Sequence, residues 1–372
     1  MNWPLQQPQG RLFGIIAVLI FLGQTFSAAA EPARFPSLVS SLQIKGPLYF
    51  CSEPVPLEIR DVRERLEKEL LLSLWDRPQV ILWLKRSTRY MPAIEQMLKD
   101  AGIPDDLKYV ALAESALRPH VGSPKGALGF WQFMANSGRK WGLTIDHRTD
   151  QRRNIFFSTR AATNYFKYLY AQTGGWTLAA AAYNMGEGGL IAETIEQGIS
   201  DYYRLYLPLE TQRFIFRILA IKLIVEDPEK YGFTLTRTDY YPPLKFDEIR
   251  IDCFQEIPIR IAALAAGTCF KEIKDLNPEI RGHYLAPGNH TLLIPEGAEK
   301  DFQEKYSDLV EQYLSTRSQR IYIVKKGDNL SNIAEKYNIP LAALLIWNRL
   351  NLTHPIHPGD RLVIHPRSVG EK

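Results

Sequence analysis

The sequence has few cysteines and no pattern of metal-binding histidines. Its 372 residues include three cysteines (Cys51, Cys253 and Cys269) and seven histidines. The histidines lack the spacing of metal ligands, so we expect neither a metal nor a cofactor. In an oxidising compartment a disulfide is allowed. Cys253 with Cys269 is the more local pairing and would leave Cys51 free, but the sequence does not decide the pairing.

Strong charge of one sign is also absent. The formal net charge is +4, and no dense stripe of Lys and Arg stands out. This balance suits residence near an anionic polymer or a membrane surface without proving either, and it excludes nucleic acid as the expected partner. No phosphate-binding loop and no Ser-His-Asp arrangement is present. With 45% hydrophobic and 23% charged residues the chain can bury a core, so we do not expect disorder.

Long hydrophobic runs are missing except at the N-terminus. There, Arg11 precedes the apolar run "LFGIIAVLIFLG", and small residues follow, with Ala28 and Ala30 placed for signal-peptidase cleavage. The run is short for a membrane span and has the flanks of a secretory signal. We therefore expect residues 1–30 to be a cleaved signal and the protein to be periplasmic, in the cell envelope. The alternative is an uncleaved signal that associates loosely with the membrane.

The middle of the chain reads as helix. Residues 57–100 have a helical pattern that Gly102 ends, and the region 57–230 is nearly all helical. One short helix has an apolar face spaced i, i+3, i+4, i+7, made by Leu107, Val110, Ala111 and Glu114. Glu114 thus lies on the apolar side of this helix, away from Lys108.

A carboxylate on an apolar helix face loses solvation, which should raise its pKa. The negative end of the helix dipole acts in the same direction. A carboxylic acid that keeps its proton near neutral pH can act as a general acid. The alternative is that Glu114 reaches water past the helix end, or pairs with Arg118 or Lys125.

A glycine-rich loop follows this helix. Gly122, Gly126 and Gly129 would let a backbone approach a ligand closely. Three aromatic residues offer flat surfaces on which sugars stack, and Gln132 can bond hydroxyl or acetamido groups; these aromatics are Phe130, Trp131 and Phe133. The alternative is that the aromatic side chains pack into the core.

After Tyr240 the pattern changes from helix to mixed strand and helix. Residues 249–296 and 321–365 each read as strand, two short helices, strand, and they align at an offset of 71 residues that brings Asn277 opposite Asn348. We interpret this as a weak internal repeat. The polar, partly helical segment 297–320 between them is expected to be a linker.

Four motifs occur in the order and spacing of a known enzyme family: "ES" at 114–115, "GALGFWQFM" at 126–134, "AAYNMGEG" at 181–188 and "LPLETQRF" at 207–214. Together they resemble the lytic transglycosylases, which share a lysozyme-like helical fold, and the upstream segment is similar to a membrane-bound subgroup. The resemblance implies an α+β chain. A mainly α-helical lysozyme-like catalytic domain at 101–235 would follow an N-terminal lead-in with helices at 31–100.

The same resemblance implies functional residues. It makes Glu114 the single catalytic acid/base. The substrate-contacting residues that it implies are Ser115, Gln132, Met134, Tyr183, Asn184 and Glu210. Where the family usually has a tyrosine, this chain has Phe214, so one hydroxyl that could touch the substrate is missing.

The C-terminal segment 321–366 resembles a LysM domain, a βααβ module that binds glycans containing N-acetylglucosamine. By this resemblance the sugar contacts would be Gly327, Asp328, Leu330 and Ile356, and Asp328 could also cap the first short helix. Residues 249–296 resemble a divergent LysM whose first turn is replaced by "FQEIPI". We expect it to keep the fold and to bind sugar weakly, as a spacer.

The implied substrate is the glycan strand of peptidoglycan, cleaved without water to a 1,6-anhydro sugar. A hydrolysing muramidase is one alternative, and it would need a second carboxylate. Asp146 and Asp150 are expected to be solvated, and Glu187 to be structural. A non-catalytic peptidoglycan-binding protein is the other alternative, and Phe214 is its only support.

Overall fold

A computed structural model describes residues 36–44, 46–317 and 321–365. The expected signal segment lies outside these residues. Within them, no helix has both the length and the apolar character needed to cross a membrane. The buried hydrophobic residues form three separate cores, spanning 48–233, 249–313 and 322–364.

The first core belongs to a helical domain. Its helices are α1 (Leu38–Ser41), α2 (Arg60–Trp75), α3 (Arg77–Ala101), α4 (Lys108–Ser115), α5 (Ala135–Lys140), α6 (Ile155–Thr173), α7 (Trp176–Met185), α8 (Glu187–Gln197) and α9 (Leu209–Glu226). A two-residue hairpin, β1 (Tyr49–Phe50) with β2 (Glu53–Pro54), precedes α2. Short 3-10 turns lie at 105–107, 151–153 and 229–231. Asp76 caps the start of α3, and Gly102 ends it with a left-handed φ of 65°.

The short helix α4 lies in the middle of this domain, packed against α3 and α9. Leu107, Val110 and Ala111 are fully buried, which confirms the predicted apolar face. The alanines of α7 are buried as well, and their small side chains let α7 pack against both α6 and α9. The fold therefore fixes α4 from several sides.

The second core belongs to the first module, residues 246–317. Its elements are β3 (Phe246–Cys253), β4 (Ile257–Pro258), α10 (Ile259–Ala265), α11 (Phe270–Leu276), β5 (Tyr284–Leu285), β6 (Gly288–Pro295) and α12 (Phe302–Arg317). Strand β3 pairs antiparallel with β6, and β4 pairs antiparallel with β5. The β4–β5 pair was not expected from the sequence.

Helix α12 covers most of the segment that was expected to be a linker. Its Phe302, Tyr306 and Tyr313 are buried in the core of the first module. The polar composition of this segment belongs to the outer face of an amphipathic helix. The segment is thus part of the first module over most of its length.

The third core belongs to the second module, residues 321–365. Its elements are β7 (Ile321–Ile323), α13 (Leu330–Lys336), α14 (Leu341–Asn348) and β8 (Arg361–Val363), with β7 antiparallel to β8. Helices α10 and α13 begin and end at positions separated by the offset of 71 residues. This confirms the predicted internal repeat.

The two aligned asparagines make the same hydrogen bonds. Asn277 donates to the carbonyls of Ile273 (2.8 Å) and Leu293 (2.7 Å) and accepts from the Leu293 N–H (2.9 Å). Asn348 donates to Leu344 (2.9 Å) and Val363 (2.8 Å) and accepts from the Val363 N–H (2.6 Å). In both modules this amide fastens the second helix to the last strand.

The disulfide that the sequence left open is not formed. All three cysteines are free: Cys51 and Cys253 are buried, and Cys269 is exposed. The Cys253 sulfur lies 3.4 Å from the Tyr306 hydroxyl, inside the first module. Nearness in sequence does not bring Cys253 and Cys269 together, because Cys253 is buried in this core and Cys269 is exposed to solvent.

We expect Asn277→Ala to destabilise the first module by about 1–3 kcal/mol, because the buried N–H and carbonyl of Leu293 lose the amide of Asn277. Amide hydrogen exchange of peptides covering 288–295 measures this locally. Asn289→Ala, at an exposed position of the same strand, is the matched control. Equal exchange in the two variants would contradict the prediction.

Candidate active site

A cleft of about 690 Å³ opens on the helical domain where α4, α7 and α9 meet the glycine-rich loop. It gathers residues that are far apart in sequence. Its lining includes Glu114, Ser123, Lys125, Gln132, Phe133, Met134, Tyr165, Tyr183, Asn184, Glu187, Glu210 and Thr211. The mixture of carboxylate, amide, hydroxyl and aromatic groups suits a polar, ring-shaped ligand such as a sugar.

A second groove of about 740 Å³ lies beside the β1–β2 hairpin and holds Glu53, Glu58 and Asp201. The Glu53 carboxylate accepts hydrogen bonds from the N–H groups of Trp176 (2.5 Å) and Thr177 (2.9 Å). Glu53 thus caps the N-terminus of α7 and has a structural role. The first cleft is the better candidate because its carboxylate Glu114 is not used in this way.

Glu114 lies at the end of α4, where the backbone turns through left-handed conformations at Ala116 (φ 52°) and Leu117 (φ 56°). Two arginines hold this turn: Arg118 donates to the Ser115 carbonyl (3.1 Å) and Arg86 to the Ala116 carbonyl (3.2 Å). Among the residues that the structure describes, none forms a hydrogen bond or an ion pair with the Glu114 carboxylate. The alternative of a pair with Arg118 or Lys125 is therefore not realised.

Burial raises the pKa of Glu114 to about 8. The positive charge of Arg217 lowers it in part, and the negative charge of Glu210 raises it. Arg217 is itself paired with Glu210 at 3.1 Å, which weakens its effect on Glu114. Glu114 therefore carries a proton at neutral pH and faces an open cleft, which are the two requirements of a general acid.

The glycine-rich loop is held in one shape by its own backbone. Gly129 has a φ of 84°, and a Cβ atom at this position would lie 1.9 Å from the Arg152 carbonyl oxygen, so no other residue fits. Gln132, also left-handed at φ 49°, donates from its side-chain amide to the carbonyls of Val121 and Gly129, both at 2.9 Å. These bonds fix Gln132 at the cleft wall.

A buried ion pair supports the loop from behind. Arg152 contacts both carboxylate oxygens of Asp150, at 2.8 and 2.7 Å, and both residues are buried. The remaining guanidinium nitrogen donates to the carbonyls of Gly126 (3.0 Å) and Phe133 (3.1 Å). Arg152 was not predicted from the sequence, and the expectation that Asp150 is solvated was wrong. The only signal of this pair in the sequence is the spacing i, i+2 of Asp150 and Arg152.

The aromatic residues of the loop do not form an open stacking wall. Phe130, Trp131 and Phe133 are 1%, 0% and 3% exposed. Trp131 donates its indole N–H to the Thr159 hydroxyl (3.0 Å), and Phe130 lies edge-on against Tyr90. The alternative of aromatic packing in the core is thus correct, and only Phe133 also reaches the cleft lining.

Two segments of the chain match known protein families. Residues 91–203 match the Transglycosylase SLT domain family, and residues 322–365 match the LysM domain family. The chain is 30% identical to the membrane-bound lytic murein transglycosylase D of Escherichia coli (strain K12), over 94% of this chain and 81% of that protein. The chain belongs to the lytic murein transglycosylase family.

Other relatives match over shorter lengths. A putative tributyltin chloride resistance protein of Alteromonas sp. (strain M-1) is 32% identical over 30% of this chain and 55% of that protein. The solved structure of the 70 kDa soluble lytic transglycosylase SLT70 from Escherichia coli aligns with 20% identity and a TM-score of 0.31. That alignment covers 48% of this chain and 30% of SLT70. The predicted fold class, a mainly α-helical lysozyme-like domain followed by βααβ LysM-like modules, is confirmed by the observed elements together with the two family matches.

The structure brings together six of the seven cleft residues that the family resemblance implied. Met134 is 43% exposed over the cleft. The Tyr183 hydroxyl donates to the Trp131 carbonyl (2.7 Å), and its ring stacks on Phe166. The Asn184 side-chain oxygen accepts from the Thr211 hydroxyl (2.9 Å). These contacts tie α7 to the loop and to α9.

Ser115 is the residue that does not reach the cleft. It is 2% exposed, and its hydroxyl bonds to the carbonyls of Ala111 (3.0 Å) and Phe130 (2.8 Å). It therefore fastens the end of α4 to the glycine-rich loop, and its placement does not support the predicted substrate contact. Phe214 is also buried, at 1% exposure.

The predicted glycan-contacting residues of the second module differ in exposure. Gly327 and Asp328 lie in the turn before α13, whereas Leu330 is 9% exposed and belongs to the module's core. Ile356 is half-buried against the same core. The Asp328 carboxylate accepts from the Lys325 N–H and the Tyr322 hydroxyl, both at 2.7 Å. The cap of α13 is Asn329, so the prediction of Asp328 as the cap was wrong.

The candidate second carboxylates are all engaged. Asp146 is exposed and accepts from the backbone N–H groups of Arg148 and Thr149, each at 2.7 Å, so its predicted solvation is correct. Glu187 lines the cleft, where it accepts from the Tyr165 hydroxyl (2.8 Å) and pairs with Lys140 (3.1 Å). Hydrogen bonds lower the pKa of Glu187, and the largest contribution comes from its own backbone N–H.

We expect Gly129→Ala to unfold the glycine-rich loop and to destabilise the domain by more than about 1 kcal/mol, since its Cβ atom would collide with backbone. Gly126→Ala is the matched control, because Gly126 also has a positive φ but faces open space. Thermal unfolding of both variants tests this. Equal shifts in Tm would show that only the backbone conformation matters.

We expect Glu114→Gln to stabilise the protein, and more so at high pH. The folded-state pKa of about 8 lies above the unfolded value near 4.5, so stability is full below pH 4.5 and is lost as the pH rises toward 8. Glutamine does not ionise, so the variant should gain up to about 3 kcal/mol at pH 7 and little at pH 4.5. Denaturant unfolding across this range is the measurement. A pH-independent difference would contradict the raised pKa.

Proposed function

We propose that this protein is a peptidoglycan lytic transglycosylase that cleaves the β-1,4 bond between N-acetylmuramic acid and N-acetylglucosamine. The product is a 1,6-anhydro-N-acetylmuramic acid end, and Glu114 is the single acid/base. The observation that carries the proposal is a partly buried carboxylic acid, with a pKa near 8 and no protein partner among the described residues, on a polar cleft of about 690 Å³. Membership in the lytic murein transglycosylase family supports it.

The first step uses the proton that Glu114 holds at neutral pH. Glu114 donates it to the glycosidic oxygen, and the bond to C1 of the muramic acid breaks. The acetamido group of the same sugar can stabilise the cation that forms, as in substrate-assisted glycosidases. The second step reverses the direction of proton transfer: the ionised Glu114 takes the proton of the C6 hydroxyl, whose oxygen attacks C1.

The residues around Glu114 would position the glycan and not transfer protons. Burial and the nearby Glu114 raise the pKa of Tyr183 well above its ordinary value, so its hydroxyl stays protonated. Gln132 directs both donors of its amide into the loop, which leaves its carbonyl oxygen to accept from a sugar. Glu210, which is exposed at the edge of the cleft and paired with Arg217, would contact the strand near the cleft mouth.

A hydrolysing muramidase remains the second candidate, because Glu187 lies on the same cleft. Its pKa is lowered, so it is ionised at neutral pH and could activate water. Its ion pair with Lys140 and its bond from Tyr165 compete with that role. We therefore prefer the single-carboxylate mechanism, and we regard a non-catalytic binder as weakly supported because Glu114 is intact.

The second module would bind the same polymer and keep the cleft near its substrate. The LysM match at 322–365 supports this role. The substrate implies that the protein acts in the cell envelope, in agreement with the signal expected at residues 1–30. No protein partner is proposed.

We expect purified peptidoglycan treated with residues 31–372 to yield anhydro-muropeptides by mass spectrometry. Glu114→Gln should lower the rate by at least about 100-fold, because glutamine can neither donate nor accept the proton. Glu187→Gln should release the same anhydro products. Glu210→Gln is the matched control at the cleft mouth, with a modest loss.

Products with reducing ends that disappear in Glu187→Gln would overturn the proposal in favour of the hydrolase. Equal rates in the wild type and Glu114→Gln would exclude Glu114 as the acid/base. Polymer binding without any product would indicate a binder, and Phe214→Tyr would then show whether the missing hydroxyl is the cause.

A further inference from the structure

The first module is joined to the helical domain along the segment directly behind the cleft. Thr149 pairs with Ile280 in an antiparallel bridge. The Asp150 N–H donates to the Glu279 carbonyl (2.8 Å), and the Arg281 N–H donates to the Arg148 carbonyl (2.7 Å). Residues 279–281 thus run as a short added strand beside residues 148–150 of the helical domain.

A buried side-chain contact reinforces this backbone pairing. The Glu279 carboxylate accepts from the Asn154 side-chain amide (2.9 Å), and the two residues are only 6% and 4% exposed. The oxygen of the same Asn154 amide accepts from the N–H groups of Phe156 (2.9 Å) and Phe157 (3.2 Å), which caps α6. Glu279 therefore fixes the orientation in which Asn154 caps this helix.

The segment that Glu279 contacts leads to the cleft: the backbone carbonyl of Glu279 accepts from Asp150, and its carboxylate supports the same segment through Asn154. Asp150, which donates its N–H to the Glu279 carbonyl, holds Arg152 through the buried ion pair. Arg152 holds the carbonyls of Gly126 and Phe133. Between these two anchors, the Phe130 carbonyl accepts from the Ser115 hydroxyl, next to Glu114. The steps alternate between hydrogen bonds and short stretches of the chain, from Asp150 to Arg152 and from Gly126 to Phe133.

We propose that Glu279 is a positioning residue for the cleft, and that the first module is a structural part of the active-site frame and not a spacer. Glu279 holds the segment 148–154, which in turn holds the loop that carries Gln132 and borders Glu114. The consequence for catalysis rests on the proposed function, whereas the consequence for the loop does not.

The experiment compares Glu279→Ala, which removes the carboxylate acceptor of Asn154 and keeps the backbone carbonyl that accepts from Asp150, with Glu279→Gln, which keeps a side-chain acceptor. Glu272→Ala is the matched control, since this exposed carboxylate of the same module bonds only to Thr268 within it. Amide hydrogen exchange of peptides covering 121–134 reports on the loop, and steady-state cleavage of peptidoglycan reports on the site.

We expect Glu279→Ala to exchange at least about ten-fold faster across 121–134 and to lower kcat by about ten-fold, with KM changed less than about two-fold. Glu279→Gln should restore both quantities to near the wild-type values, and Glu272→Ala should match the wild type. Asn154→Ser is a second route: serine keeps the cap of α6 but loses the donor to Glu279, and it should also speed exchange in the loop.

Unchanged exchange in the loop of both Glu279→Ala and Asn154→Ser would overturn the proposal. If Glu279→Ala fails to fold, Asn154→Ser decides it alone. Faster exchange with no cleavage by the wild-type protein would uphold the positioning role and contradict the proposed activity. Faster exchange with unchanged kcat would overturn the role of Glu279 in positioning the site.

Discussion

The arrangement of the site depends on one buried ion pair, Arg152 with Asp150. Removing two charges from water offsets most of their attraction, so such a pair adds little net stability. Its effect is geometric. Two guanidinium nitrogens of Arg152 bond to Asp150, so the orientation of the third is fixed, and that nitrogen donates to the carbonyls of Gly126 and Phe133. Gly129 then fits against the Arg152 backbone, where no side chain could. The glycine-rich loop therefore has one fixed conformation, because two of its carbonyls accept hydrogen bonds from Arg152 on the side away from the cleft.

Glu114 differs from two other acids of the helical domain that are removed from solvent, Glu69 and Asp106, because both of these are paired. Glu69 is paired with Arg213 at 2.5 Å, and Asp106 contacts Lys222 at 2.8 Å and the Cys51 N–H at 2.7 Å. Those acids stabilise the fold, as buried charges must be paired to do. Leaving Glu114 without a partner destabilises the ionised form and keeps a proton available over the cleft. Such a local departure from good packing rules is typical of a functional site.

Much of the fold and part of the site followed from local sequence. Apolar spacing predicted the face of α4 with Glu114 on it, and the repeat offset matched Asn277 with Asn348, because periodicity records which side of an element is buried. The loop aromatics and Asp150 were misjudged for a different reason. Their burial depends on Thr159, Tyr90 and Arg152 contacts made only after folding. Ser115 had the same problem, since its partner Phe130 lies across a loop whose shape no short motif encodes.

The two C-terminal modules share one fold but differ at a position where the first module contacts the helical domain. At the offset of 71 residues, Glu279 of the first module corresponds to Leu350 of the second, which packs against its own core. Asn277 and Asn348 make the same hydrogen bonds in the two modules, so the difference between Glu279 and Leu350 leaves the fold unchanged. The first module therefore carries a carboxylate that accepts from Asn154 where the second module carries an apolar side chain. The first module is held at the back of the cleft, and the second keeps no equivalent acceptor there, in agreement with a division between framing the site and binding glycan.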